Sequence, residues 1–116
     1  LWRHLPSLAQ PGEAVLFDCL TLWTASCLEA GCCLQVFEEL CDRLLRALRE
    51  LSCPVVIVNA EVGMGLVPIS SEGRQFRDMA GIAGQKAAAI ADSVVFMISG
   101  IPVAAKGELP FRKIPL

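Results

Sequence analysis

Features that mark several common protein classes are missing from this 116-residue sequence. It has no excess of basic residues, since ten Lys and Arg stand against twelve Asp and Glu for a net charge of -2. That balance argues against a general nucleic-acid binder. The longest stretch without a charged residue, Ser93 to Ala105, spans thirteen residues, whereas a membrane-spanning helix needs roughly 18 or more. We therefore expect no nucleic-acid partner and no membrane span.

The signatures of several enzyme classes are also absent. There is no GxxxxGKS/T phosphate loop, no GxGxxG dinucleotide motif, no GxSxG elbow and no paired histidines for zinc. His4 is the only histidine, with no acid or cysteine beside it, so it is not expected to be a catalytic base. No signal peptide is visible, because Pro6, Pro11 and Gly12 interrupt the apolar segment after Arg3. A cytoplasmic location is expected.

Cysteine is abundant for this length. The six cysteines are Cys19, Cys27, Cys32, Cys33, Cys41 and Cys53. They stand in apolar runs and form no CxxC pair, and an adjacent pair such as Cys32 and Cys33 suits neither a zinc knuckle nor an ordinary disulfide. The pattern favours small buried thiols in a reduced compartment.

Apolar periodicity predicts alternating strands and helices. The expected strands are Val15–Leu20, Val55–Asn59 and Val94–Ser99, with a short edge strand at Val103–Ala105; the expected helices are Thr21–Ala30, Leu34–Leu51 and one capped by Ser70 or Ser71. Such alternation favours a parallel sheet with helices on both faces, an α/β fold.

The carboxyl ends of parallel strands meet at one edge of the sheet, where ligands bind. Asp18–Cys19, Asn59–Glu61 and Ser99–Gly100 mark the carboxyl ends of the three expected strands. Asp18 suits Mg²⁺ beside nucleotide phosphates, or it caps a turn or pairs with a buried arginine. Glu61 begins a glycine-punctuated loop that either approaches a ligand or is an ordinary turn.

Arg74, Arg77 and Asp78 come at the start of the helix that follows this loop. Arg74 and Asp78 are four residues apart, which favours a surface ion pair. The alternative is an arginine that reaches a phosphate.

Several segments, in this order, resemble one family. EVGMGLVP (Glu61–Pro68), GRQFRDMAG (Gly73–Gly81) and VVFMISGIPV (Val94–Val103) are similar to segments of the bifunctional cobinamide kinase / cobinamide-phosphate guanylyltransferases of cobalamin biosynthesis. VLFDCLTLW (Val15–Trp23) resembles their Walker-B strand and the helix after it, and WRHL (Trp2–Leu5) the segment just before.

The resemblance implies a RecA-like P-loop NTPase-type three-layer fold with a mostly parallel sheet, here without the N-terminal strand and phosphate loop. It implies ATP- or GTP-dependent phosphorylation of adenosylcobinamide, followed by transfer of GMP from GTP through a guanylylated histidine. The implied cofactors are GTP, ATP and Mg²⁺. The implied substrate is adenosylcobinamide or its phosphate, and the implied assembly is a homo-oligomer, namely a trimer.

The same resemblance assigns site residues. Asp18 matches the family's acid that contacts nucleotide or its Mg²⁺. The loop that closes the active-site edge is matched by Glu61, Val62 and Gly63. The FRD segment is matched by Arg77 and Asp78. The guanylylated histidine is expected upstream, so no catalytic residue is assigned and His4 is not the nucleophile.

Three positions depart from the family pattern. Ala60 stands where an asparagine is usual, and Gly84 and Lys86 stand where asparagine and arginine are usual.

We expect residues 1–106 to be part of a kinase/guanylyltransferase domain and residues 107–116 a tail or linker. Because the family's phosphate-loop strand lies inside the sheet, beside the Walker-B strand, its omission predicts exposed apolar surface and a fragment of a longer chain. The main alternative is a non-catalytic nucleotide-binding or oligomerising remnant of the family, and a weaker one is another α/β domain.

Overall fold

The computed structural model describes residue 5 and residues 12–109. In that part of the chain the elements are β1 (Val15–Phe17), α1 (Leu20–Glu29), α2 (Leu34–Arg49), β2 (Val55–Ile57), α3 (Ser71–Ile90), β3 (Val94–Ile98) and β4 (Ile101–Lys106). The order confirms the predicted α/β class. None of these helices is long and apolar enough to cross a membrane.

Local sequence signals explain the buried face of α2 and the beginning of α3. α2 buries Phe37, Cys41, Leu44 and Leu48, which recur every three or four residues, as an amphipathic helix requires. α3 begins after Ser70, whose Oγ accepts the Gly73 N–H at 3.1 Å, so one of the two serines predicted as caps is confirmed.

The strands β1 and β2 pair in parallel, with Val15 opposite Val55 and Phe17 opposite Ile57. These four side chains pack against one core formed with all three helices. Leu16 on the other face is 64% exposed. The expected cover on both faces is therefore wrong for the described residues, because the three helices contribute to one core on one side. The predicted exposed apolar surface is present.

The strands β3 and β4 form an antiparallel hairpin. Its two-residue turn is Ser99–Gly100, with φ of 49° and 81°, the left-handed pair that a type I′ turn requires. Within the described residues β3 therefore pairs with β4 and not with β1 or β2. The expected mostly parallel sheet is corrected to one parallel and one antiparallel pair, a small α/β arrangement compatible with a P-loop-like fold.

The core lies between the helices and the inner face of the β1–β2 pair. Its buried members are Leu5, Leu20, Phe37, Cys41, Leu44, Leu45, Leu48, Met79, Ala83 and Ala87. Trp23 is half-buried, with its ring centroid 5.4 Å from that of Phe37. Trp23 therefore packs at the margin of the core, and Trp2 lies outside the described residues.

Two lysines connect elements at the surface. The Lys86 ammonium on α3 lies 2.6 Å from the Asp42 carboxylate on α2 and 3.9 Å from that of Glu38. The hydrogen bond to Asp42 raises the pKa of Lys86. Lys106, the last residue of β4, donates to the Ala88 and Ala89 carbonyls at 2.9 and 3.0 Å, and so ties the hairpin to the end of α3.

All six cysteines are free thiols, as predicted, but they are less buried than expected. Cys41 is fully buried, Cys33 is exposed and the other four are half-buried. Burial raises the pKa of Cys41 to about 11, since a thiolate loses its hydration there.

Candidate functional site

Two polar strand ends lie at the same edge of the parallel pair. Because Phe17 is opposite Ile57, Asp18 follows β1 where Val58 follows β2. The Val58 N–H donates to Phe17 O at 2.9 Å, and the Leu20 N–H donates to Val58 O at 2.9 Å. The start of α1 is thereby fastened to the end of β2. This edge is the position at which α/β sheets bind ligands.

A side-chain network holds the two strand ends together. Thr21 Oγ1 donates to Asn59 Oδ1 at 3.1 Å and accepts the Ala60 N–H at 2.7 Å. Thr21 was not among the site residues predicted from the sequence. The sequence feature that could have revealed it is a hydroxyl side chain in the first turn of the helix after β1. Because β1 and β2 are parallel neighbours, that turn lies beside the end of β2. Thr21 fixes the direction in which the chain leaves β2 toward Glu61.

Asp18 is exposed at this edge, immediately before the cap of α1. A carboxylate just before a helix is favourably placed with respect to the helix dipole. No group of three or more metal-ligating side chains occurs in the described residues. Mg²⁺ bound with nucleotide often takes only one or two protein carboxylates, with phosphate oxygens and waters completing its shell. Asp18 therefore fits a shared site of that kind and not an all-protein cage.

The loop after β2 carries Glu61, Val62 and Gly63. The Gly63 N–H donates to Glu61 Oε1 at 2.7 Å, so the carboxylate folds back over its own loop. A Cβ atom on Gly63 would meet that oxygen at 2.7 Å, so a larger residue at this position would force the Glu61 carboxylate to shift. Val62 is half-buried, and Glu61 and Gly63 are exposed.

The arginines of α3 bind this loop. Arg77 Nη2 donates to Gly63 O at 2.5 Å. Arg74 Nη1 donates to Ile69 O at 2.6 Å and to Pro68 O at 3.1 Å. The predicted surface pair of Arg74 with Asp78 is therefore wrong, because the nearer main-chain carbonyls take the guanidinium.

A shallow cavity of about 330 Å³ lies beside the loop, lined by Val67, Arg74, Arg77 and Asp78. The two residues of the FRD segment that the sequence predicts for the site, Arg77 and Asp78, thus border one concave surface. The third predicted strand end, Ser99–Gly100, is the turn of the hairpin. In the described part of the chain, strand β3 forms no backbone hydrogen-bond ladder with β1 or β2. His4 lies outside the described residues.

This chain is similar to known proteins of one family. The family model described as "Cobinamide kinase / cobinamide phosphate guanyltransferase" matches residues 2–105. The bifunctional adenosylcobalamin biosynthesis protein CobU of Salmonella typhimurium is 34% identical, over 90% of this chain and 67% of its own length. CobP of Pseudomonas aeruginosa is 36% identical, over 90% of this chain and 60% of its own length.

CobU of Escherichia coli is also 34% identical, over 90% of this chain and 67% of its own length. The chain thus spans about two thirds of the length of these curated relatives. A match over nearly the whole chain, at identities above 30%, is what shared descent produces. The chain belongs to the cobinamide kinase / cobinamide phosphate guanyltransferase family.

Proposed function

We propose that this chain takes part in nucleotide-dependent phosphoryl and guanylyl transfer to adenosylcobinamide, in cobalamin biosynthesis. The proposal rests on the acidic residues at the carboxyl end of the parallel β1–β2 pair. Asp18 and Glu61 follow adjacent parallel strands at the same end of the pair. The chain's family is named for these two transfers.

In this proposal the described residues bind nucleotide and supply no covalent nucleophile. Glu61, Val62 and Gly63 form the wall of the nucleotide site, with Arg77 and Asp78 beside it. Transfer of a phosphoryl or nucleotidyl group depends mainly on positioning and on electrostatic stabilisation of the phosphates. A loop held by hydrogen bonds next to a strand-end carboxylate meets the first requirement.

Asp18 is proposed to provide the protein oxygen for Mg²⁺ bound with GTP or ATP. When bound, the metal neutralises charge on the phosphates. The Asp18 side chain is exposed at the strand end, so a hydrated cation can reach its carboxylate from solvent.

Calorimetric titration of the chain with GTP and Mg²⁺ tests the proposal. We expect saturable binding that Asp18→Asn weakens about tenfold or more, as loss of a metal-linked carboxylate does. Asp92→Asn is the matched control, because Asp92 is an exposed acid at the far end of α3, away from the loop. No binding by the unaltered chain, or equal losses in both variants, would contradict the proposal.

A second candidate is association without catalysis, and the uncovered sheet face favours it. Leu16, Val56 and Val58 are 64%, 55% and 40% exposed, and lie together on the outer side of β1 and β2. Contiguous exposed apolar surface commonly marks an interface. We propose a homo-oligomer, a trimer in keeping with the resemblance.

Sedimentation of the unaltered chain and of Leu16→Ser/Val56→Ser tests the association. We expect a trimer that dissociates in the double variant but persists in Leu22→Ser, since Leu22 is 67% exposed on α1 instead. A monomeric unaltered chain at micromolar concentration would refute this candidate.

A further inference from the structure

Arg74 and Arg77 stand three residues apart in the first turns of α3, so they share one face of the helix. Both guanidinium groups donate to carbonyl oxygens of the preceding loop. Arg77 binds the loop near its start, at Gly63 O, and Arg74 binds it near its end, at Pro68 O and Ile69 O. One helix face therefore holds both ends of the loop.

Close packing supports the same contact. A Cβ atom on Gly73 would meet Pro68 Cβ at 2.8 Å and Ser70 Oγ at 2.9 Å, so the loop lies directly on the start of the helix. Met64, Leu66 and Ile69 are 79%, 96% and 99% exposed, so their side chains do not anchor the loop by burial. The hydrogen bonds from the two arginines hold it instead.

The bond from Arg77 continues to Glu61. The Gly63 carbonyl accepts from Arg77, and the Gly63 N–H donates to Glu61 Oε1 at 2.7 Å. Displacing Gly63 would therefore displace the carboxylate. The other oxygen of Glu61 makes no hydrogen bond within the described part of the chain and faces solvent.

We infer that Arg74 and Arg77 are positioning residues, which act through the loop and not on phosphate directly. Arg77 fixes Gly63 and, through it, the Glu61 carboxylate at the nucleotide edge. Arg74 fixes the return of the loop into α3. The inference rests on the proposed function for the identity of the ligand, and it revises the part that Arg77 plays in that site.

Hydrogen exchange in the nucleotide-free chain is the first test. Arg77→Met is expected to raise exchange of the Gly63 amide about tenfold, since a charge-assisted hydrogen bond that holds the loop is lost. Arg77→Lys, which keeps one donor, should recover part of the protection. Arg43→Met on α2 is the matched control and should leave Gly63 unchanged. An unchanged Gly63 exchange rate in Arg77→Met would overturn the inference.

Nucleotide affinity is the second test, with GMP, GDP and GTP as probes. If the two arginines are positioning residues, Arg77→Met and Arg74→Met should lower the affinity for all three nucleotides by a similar factor. A direct phosphate ligand predicts a loss that grows with the number of phosphates, and that outcome would overturn the inference. Urea unfolding of each variant checks that the fold is retained, and Arg74→Gln or Arg77→Gln replaces the corresponding Met variant if that variant does not fold.

The two tests separate the two proposals. If the unaltered chain binds none of the nucleotides, the proposed function fails, and the exchange rates still decide whether the arginines hold the loop.

Discussion

The Asn59 amide nitrogen lies 3.1 Å from the place that a Cβ atom on Gly84 would take. Asn59 follows β2 and Gly84 is in the middle of α3, so the amide occupies space that an ordinary helix residue would fill. The Asn59 side chain is held there because its Oδ1 accepts from Thr21 Oγ1. A glycine in α3 thus accommodates the polar end of the neighbouring strand.

Gly84→Ala is expected to stabilise the chain by less than the ~1 kcal/mol that alanine usually gains over glycine in a helix. The new Cβ atom must displace the Asn59 amide, which offsets part of the gain. In an Asn59→Ala background the full gain should return. Urea unfolding measures both values. Gly81→Ala is the control, because nothing lies within 4 Å of its Cβ position. Equal gains at Gly81 and Gly84 in the unaltered background would contradict the contact.

Gly63→Ala is expected to loosen the loop after β2. Its Cβ atom would lie 2.7 Å from Glu61 Oε1, so the carboxylate must shift, and we expect its hydrogen bond to the Gly63 N–H to be lost. Loss of one hydrogen bond worth ~1 kcal/mol raises the open population about fivefold. Chymotrypsin cleavage near Met64 and Leu66 should accelerate by that factor. Gly65→Ala, whose Cβ would lie 4.0 Å from Val62 O, should be cleaved at the unaltered rate. Equal cleavage of both variants would count against the contact.

Lys86→Met is expected to destabilise the chain by about 0.2–1 kcal/mol at pH 7, the range for an ion pair at the surface. The Asp42 hydrogen bond raises the folded-state pKa of Lys86 above its unfolded value. Its contribution is therefore fully present below about pH 10.4, the unfolded pKa. It is lost as the pH rises through the higher folded value.

Urea unfolding of the unaltered chain and Lys86→Met, at pH 7 with low and with high salt, measures this difference. It should shrink in about 1 M salt, where screening weakens the pair. Lys86→Arg keeps the charge and is the control. A difference that does not change with salt would assign the effect to packing and not to the ion pair.

Cys41 is expected to make stability fall in alkaline solution. Burial raises its folded pKa to about 11, while the unfolded thiol ionises at its ordinary value, about 8.5. The stabilisation from the neutral buried thiol is complete below the unfolded pKa and disappears as the pH rises through the folded pKa. A folded pKa that lies one pH unit above the unfolded pKa corresponds to about 1.4 kcal/mol of stability.

Unfolding titrations across the range from the unfolded to the folded pKa should therefore show a steeper decline for the unaltered chain than for Cys41→Ala. Cys33→Ala, at an exposed position, is the control and should follow the unaltered chain. In the native state a thiol reagent in mildly alkaline buffer should modify Cys33 before Cys41. Rapid native-state modification of Cys41 would contradict its burial.

Local sequence predicted most of the secondary structure and part of the site. The three- and four-residue spacing in α2, the Ser70 cap of α3 and the β-branched run of β2 act within a few residues, so they can be read directly. The spacing of Asp18 and Glu61 after two strands also sufficed to place both at one edge. The sequence was misleading for Arg74, because an (i, i+4) acid was visible and the competing loop carbonyls were not.

The sequence by itself determined which segments become helices and strands, and which acids follow the strands, because propensity, capping and apolar periodicity are local. It also carried the family membership, through the order of its motifs. Only the tertiary structure decided that β3 pairs with β4, that one face of β1 and β2 is left uncovered by the described residues, and that Arg77 binds Gly63. Each of these depends on which distant hydrogen-bonding groups and apolar faces meet, and that is set by packing the whole chain around one core.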